Sequence, residues 1–307
     1  IARPPAALAH RVGHAWEQLA LPALATHARA SLILGPANLA PLAWPRNVVV
    51  IHDAAALREP SWYSAAYARW QRALLPRVAA RAAAIITPSE FSRAEVVELL
   101  GAAPDRVHVV PGGVGERFSP AADSGRACTE LGLRRPYVLT VASRTARKNL
   151  EALAPAARAL AREGVEIVAA GGERPQFRDD GPSGAVRHLG RVDDALLPGL
   201  YAGANAFVLP SRHEGFGLTA LEAMASGVPV VVSRAGALPE TCAEAALYAD
   251  PDDPGSFVDA LARAVGDERL AAAGRERAAA FTWQRTARGV DAVVAGVIPR
   301  AGQSPLR

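Results

Sequence analysis

Twice along this 307-residue chain, short β-branched or apolar runs alternate with stretches of helix length, and the alternation breaks once, over 116–135. The first block reads as strands at Leu32–Leu34, Val48–Ile51, Ile85–Thr87 and Val107–Val110. The second reads as strands at Tyr137–Val141, Val165–Ala170, Ala206–Leu209 and Val228–Val232. Helices are predicted over Ser64–Ala84 (with Pro76 inside), Ala94–Leu100, Asn149–Arg162, Asp194–Ala202, Leu218–Ser226, Gly255–Val265 and Trp283–Val297. Ser89 or Ser92 caps the second of these and Gly101 closes it. Strands separated by helical crossovers build parallel sheets, because only a crossover of that length returns the chain in the same direction. The expectation is an α/β protein of two Rossmann-like, doubly wound domains. An N-terminal domain takes 1–117, a second 118–284, and a helix and tail over 285–307 pack back toward the first. Ligands of such sheets bind outside the carboxyl ends of the strands. His52, Asp53, Gly112, Gly113, Ser143, Gly171, Gly172 and the 210–217 loop all follow predicted strands.

Composition narrows the class. Half the residues are apolar but only 6% aromatic, enough small aliphatic surface to offset ordering entropy, which excludes a disordered chain. Two cysteines, Cys128 and Cys242, do not make a disulfide framework and read as small buried fillers. No apolar run approaches the ~18 residues of a spanning helix, and no signal peptide is visible. These points lead to the expectation of a cytoplasmic protein. The net charge of +4 comes from arginines spread along the chain, so no nucleic-acid groove is expected. Of 34 basic residues only Lys148 is a lysine, which marks it as a position wanting a compact ammonium or as chance survival. The single methionine is Met224 and the chain starts at Ile1, so a fragment or part of a longer chain is expected.

The densest segment runs from Pro210 to Val232. After a strand ending at Leu209, a loop with Glu214, Gly215 and Gly217 feeds a helix starting near Leu218. Glycines there leave backbone N–H groups uncovered at a helix N-terminus, an anion site. Glu214 and Glu222 would repel an anion unless they face something else, and polyol hydroxyls suit carboxylate acceptors.

The motif Glu214-x7-Glu222, set in His-Glu-Gly-Phe-Gly-Leu and Leu-Glu-Ala-Met-Ala-Ser-Gly-Val-Pro-Val, resembles the retaining glycosyltransferases of family GT4, which have the GT-B fold. Val-Ile-His52-Asp53, Ile-Thr-Pro-Ser89-Glu-Phe-Ser, Val-Val-Pro-Gly-Gly113-Val, Arg147-Lys148-Asn149 and Leu-Gly190-Arg-Val192 match in the same order, so the likeness runs from about Trp16 to Asp253. The resemblance implies a cleft between the domains as active site and a nucleoside diphosphate sugar as donor. Glu214 would bond sugar hydroxyls and Glu222 the ribose. The N–H groups of Phe216, Gly217 and Leu218, opened by Gly215, would hold the sugar and distal phosphate. Lys148 would neutralise the departing diphosphate, Val192 would meet the base through its backbone, and His52 would face the sugar from the acceptor side. No metal or other cofactor is expected. GDP-mannose is the first guess for the donor; the acceptor would be a saccharide, a lipid-linked or a small molecule.

Departures from the family pattern are explicit. Ser143 stands where an arginine is common, leaving Arg144 or Arg147 as second cation, and Gly112 replaces an asparagine. The family's first strand and glycine-rich loop are missing, so a truncated N-terminal domain is expected. Asp250-Pro-Asp252 has a metal-site look but a turn composition. Gly171-Gly172 either approaches phosphate or turns the chain. Trp62, Tyr63, Tyr67 and Trp70, interleaved with Arg69, Arg72, Arg77 and Arg81, read as a core-facing helix with a basic face or as a peripheral contact at the inner membrane. Other readings are a GT-B epimerase or phosphorylase, a catalytically impaired nucleotide-binding module, and a membrane-associated scaffold.

Overall fold

The computed structural model describes residues 15–172 and 184–298. They form two compact units: one holds the described residues up to Arg58, Ala66–Pro111 and those from Thr286 onward; the other holds Glu59–Ala65 and Gly112–Arg285.

In the first unit β1 (Ile33–Gly35), β2 (Asn47–Val50), β3 (Ala84–Thr87) and β4 (Val107–Val109) form a parallel sheet in chain order. The two-residue period of a strand divides its apolar side chains between two faces. Val49, Ile51, Ile85 and Val107 pack with Leu75 and Val78 of the helix Ala65–Arg81 and with Val96 and Leu100 of the helix Glu90–Leu100. Val48, Ala84, Ile86 and Val110 pack with Val290, Val293, Val294 and Val297 of the helix Trp283–Val297. That valine spacing is the one-face signature of an amphipathic helix. Ser89 is the cap, accepting from the Ser92 N–H at 3.0 Å, and Gly101 ends the helix at φ 68°.

In the second unit β5 (Tyr137–Val141), β6 (Glu166–Ala170), β7 (Arg187–Gly190), β8 (Ala206–Leu209), β9 (Val230–Ser233) and β10 (Leu247–Ala249) form a parallel sheet in the order β10-β9-β8-β5-β6-β7. Leu139, Phe207, Leu209 and Val232 join one core with Leu221 and Met224. Val138, Ile167, Val208 and Val231 join the other with Leu153, Phe257 and Leu261.

Several expectations are corrected. The helix expected over Asn149–Arg162 is two 3-10 turns, Ala146–Lys148 and Leu150–Leu153, followed by a helix over Ala154–Ala161. Asn149 sits between the turns at φ 55°, outside any right-handed helix. The helix expected from Asp194 begins at Leu197, with a proline in its first turn. Trp62 and Tyr63 lie outside the helix Ala65–Arg81, in and just after a 3-10 turn over Pro60–Trp62. Strands β7 and β10 and the helix Glu268–Ala279 were not anticipated. No helix among the described residues is long and apolar enough to cross a membrane.

Candidate active site

The strand order of the second unit reverses between β5 and β8, and the carboxyl ends of strands at such a switch point are where ligands of parallel sheets bind. The loop after β5 carries Arg147 and Lys148; the loop after β8 carries Ser211, His213 and Glu214. Backbone and side chain lock the two together. The Arg212 N–H donates to the Arg147 carbonyl at 2.9 Å, and Arg147 Nη1 donates to the His213 carbonyl at 3.0 Å. Asn149, buried, spends its amide on the Pro210 and Pro251 carbonyls at 3.1 and 2.9 Å, tying in the loop after β10 as well. Its left-handed backbone separates the 3-10 turn that carries Lys148 from the turn over Leu150–Leu153 and the helix Ala154–Ala161.

The centre of this arrangement is an ion cluster. Lys148 Nζ lies 2.5 Å from Glu214 Oε1, Arg147 Nη1 lies 3.6 Å from Oε2, and the Ser211 hydroxyl donates to Oε1 at 2.6 Å. Ser233 donates in turn to the Ser211 carbonyl. Burial raises the proton affinity of Glu214, but the charges of Lys148 and Arg147 and the bonds from Lys148 and Ser211 outweigh it, and the carboxyl is held at about 2. Glu214 is therefore ionised throughout the neutral range. Gly236 lies tight against the Glu214 backbone, and the Ala237 N–H donates to the Glu214 carbonyl at 2.8 Å.

Beyond Glu214 the loop turns through Gly215, Phe216 and Gly217 into the helix Leu218–Ala225. Gly217 is its cap at φ 98°, and a Cβ there would stand 2.7 Å from Leu238 Cδ2. The first N–H groups of such a helix lack intrahelical acceptors and carry the positive end of its dipole. Phe216 packs edge-on to Phe281, centroids 5.8 Å apart, which fixes the peptide groups beside it. One turn further, Glu222 accepts from the Tyr201 hydroxyl at 2.9 Å. Burial pushes Glu222 up to about 7, opposed by the Tyr201 bond and the charge of Arg117 and reinforced by Asp194.

The second unit thus brings together Lys148, Arg147 and Glu214, and its loop carries Gly215, Phe216, Gly217 and Leu218 into the helix that bears Glu222. Of Arg144 and Arg147, the expected sources of a second cation, Arg147 stands beside Glu214. Val192 follows β7 and is partly buried against the same core as Phe216. His52 stands in the first unit at the end of β2, its Nε2 2.9 Å from the Pro36 carbonyl oxygen. Asp250 accepts from the Asp252 N–H at 2.9 Å, a turn bond, and Arg212 pairs with Asp252. Among the described residues no group of three or more His, Cys, Asp or Glu is placed to hold a metal. Gly171, at φ 154°, lies tight against the backbone of Ala142, so a side chain would collide with the loop after β5. Arg69, Arg72, Arg77 and Arg81 are exposed on their helix. Sequence reasoning missed Ser211 and Tyr201. It groups Trp62 with the aromatics of the following helix, whereas Trp62 belongs to the second unit and lies 6.1 Å from the His213 ring.

Comparison with known proteins places these features. Residues 135–267 match the family model described as Glycosyl transferases group 1, and residues 3–118 match Glycosyltransferase Family 4. The chain is 30% identical over 271 residues to the O-antigen chain mannosyltransferase B of Escherichia coli, covering 81% of this chain and 70% of that protein. It is 31% identical over 304 residues to the MMP alpha-(1->4)-mannosyltransferase of Mycolicibacterium hassiacum, covering 89% and 71%. Among solved structures, sucrose-phosphate synthase from Thermosynechococcus elongatus superposes with a TM-score of 0.74 at 24% identity, covering 96% of this chain and 80% of that one.

Proposed function

Because this chain belongs to glycosyltransferase family 4 and has the two parallel-sheet domains of GT-B proteins, we propose that it is a retaining, metal-independent hexosyltransferase. It is a glycosyltransferase that takes sugar from a nucleotide sugar; the proposal adds GDP-mannose as donor and a saccharide, lipid-linked or small-molecule hydroxyl as acceptor. The likeness to two mannosyltransferases supports mannose.

The observation that carries the reading is the cluster of Lys148, Arg147 and Glu214 at the sheet's switch point, in the loop that leads to an open helix N-terminus. When the bond from the anomeric carbon to the diphosphate oxygen breaks, positive charge grows on the sugar and negative charge on the leaving group. Lys148 and Arg147 supply fixed positive charge for the diphosphate, and the N–H groups at Gly217 and Leu218 add oriented dipoles. That is the role a metal would otherwise fill. Glu214 is held ionised by two donors, Lys148 and Ser211, and by the charge of Arg147, which suits accepting bonds from sugar hydroxyls. Glu222 is assigned to the ribose, Val192 to the base and His52 to the acceptor side. The acceptor hydroxyl attacks the face from which the diphosphate leaves, passing its proton to a departing phosphate oxygen, and the anomeric configuration is kept. A cytoplasmic location, with peripheral contact at the inner membrane, completes the proposal.

Titration calorimetry with GDP, UDP, dTDP and ADP in the presence of EDTA tests donor and metal together. Binding of GDP above the others, followed by transfer from GDP-mannose with the α configuration kept by NMR, is the expected result. A requirement for added divalent metal, or an inverted product, would overturn those parts of the proposal.

A further inference from the structure

Tyr201 is completely buried, and a phenylalanine would fill its place without a hydroxyl to satisfy. Its ring is clamped between Phe118, edge-on at 5.5 Å, and Phe207 at 5.7 Å, which fixes where the oxygen points. The hydroxyl donates to Oε2 of Glu222 at 2.9 Å, across from the helix Leu197–Ala202 to the helix Leu218–Ala225. The other groups acting on Glu222 come from the segments on either side: Arg117 and Asp194. Arg117 is itself held, its Nη1 3.3 Å from the Asp194 carbonyl and its guanidinium 5.0 Å from the centre of the Phe118 ring.

We infer that Tyr201 is a positioning residue for donor binding: its hydroxyl occupies Glu222 Oε2 and leaves Oε1 to accept from a ribose hydroxyl of the nucleotide. The inference rests on the proposed ribose role of Glu222 and adds the group that makes it work. A carboxylate free to rotate about its last torsion would meet a ribose in many orientations. One pinned at one oxygen by a rigid phenol offers the other in a fixed place. The same bond favours the ionised carboxylate against the burial that opposes it, so it keeps an acceptor available near neutral pH.

The test is calorimetric binding of GDP, UDP and ADP and of their 2′,3′-dideoxy counterparts to the wild-type chain and to Tyr201→Phe, from pH 6 to 9. The wild type should prefer the ribose forms. Tyr201→Phe should weaken the preferred ribonucleotide by about tenfold, as expected for losing a hydrogen bond to a charged group. It should leave the dideoxy form unchanged and move the acid limb of binding to higher pH. In a Glu222→Gln background the Tyr201→Phe change should cost little more. Equal losses for ribo and dideoxy forms would mean that the hydroxyl serves packing alone, and no loss would mean that it positions nothing; either overturns the inference. A wild type blind to the ribose hydroxyls would overturn the ribose role of Glu222 and the inference with it. Should Tyr201→Phe fail to fold, 3-fluorotyrosine at position 201 is the second probe. Its more acidic hydroxyl should move the acid limb to lower pH, and an unmoved limb would again overturn the inference.

Discussion

Lys148 Nζ and Glu214 Oε1 lie 2.5 Å apart, with side chains only 13% and 10% exposed, although they stand 66 positions apart in the chain. The pair joins the two loops that leave the switch point of the second sheet, beside the bonds that Arg147, Asn149 and Arg212 make between them. It accounts for the chain's lone lysine in structural terms: a compact ammonium fits a buried carboxylate oxygen that Ser211 also contacts.

Lys148→Ala leaves Glu214 buried with Arg147 as its remaining cation at 3.6 Å. Removing one member of a buried pair costs about 3–5 kcal/mol, so urea unfolding should show a loss near that range, reduced by what Arg147 recovers. Transfer should be abolished as well. Separating the two effects needs kcat measured where the variant is still folded; retention of most of the wild-type kcat there would sink the leaving-group role of Lys148.

The two carboxylates make opposite contributions to stability against pH. Glu214 has its affinity lowered from 4.5 to about 2, so the folded chain binds fewer protons there than the unfolded one. Its contribution is complete above about 4.5 and is lost as pH falls toward 2. Glu222 is raised from 4.5 to about 7; its contribution is complete below 4.5 and is lost as pH rises through 7. Unfolding curves of Glu222→Gln should therefore gain on the wild type between pH 4.5 and 7 and run parallel above it. A constant difference across that interval would contradict the shift.

Asn149 does two jobs that substitutions can separate. Its amide serves the Pro210 and Pro251 carbonyls, and its backbone sits at φ 55°. Asn149→Gly removes the amide but fits the backbone; Asn149→Ala removes the amide and adds left-handed strain. Both should lower stability by about 1–3 kcal/mol through the unpaired buried acceptors. Alanine should be worse by a further ~1–2 kcal/mol. Thermal melts of the pair measure the difference directly, and alanine no worse than glycine would remove the strain argument.

Gly217→Ala asks an L-residue to hold φ 98° with its Cβ 2.7 Å from Leu238 Cδ2. The strain is about 1–3 kcal/mol, and it falls on the turn that aims the helix N–H groups. Nucleotide affinity should drop more than global stability does, as seen by calorimetry beside a melt. A wild-type affinity in this variant would mean that the cap geometry is not part of the donor site.

The sequence pattern reveals the central strands because each is a short apolar run buried on both faces, as in Val230–Ser233. It conceals β7, whose Arg187 and His188 break any apolar run, and β10, a three-residue strand that follows the turn over Ala243–Ala245. The helix Glu268–Ala279 also escapes, since it docks through Ala271, Gly274 and Ala278 rather than through an apolar stripe. A Cβ at Gly274 would stand 3.1 Å from Met224 Cγ, so smallness is what that helix contributes. Glu214, Glu222 and Lys148 are legible because a local spacing or a compositional exception marks them. Tyr201 is not, and Trp62 is read only as a helix aromatic, for their meaning lies in partners on other elements. Pro60 begins the turn that takes Trp62 out of the helix pattern shared with Tyr67 and Trp70.

The valine-faced helix Trp283–Val297 closes one side of a sheet whose last strand ends at Val109. On the ribosome, that sheet emerges long before its cover does. At about 5–20 residues per second the delay is on the order of 10–40 s, during which Val48, Ile86 and Val110 wait without their apolar partner. The first unit can thus finish folding only after the whole of the second has been synthesised. A nascent chain stalled before Thr286 would leave that apolar face uncovered, an aggregation hazard.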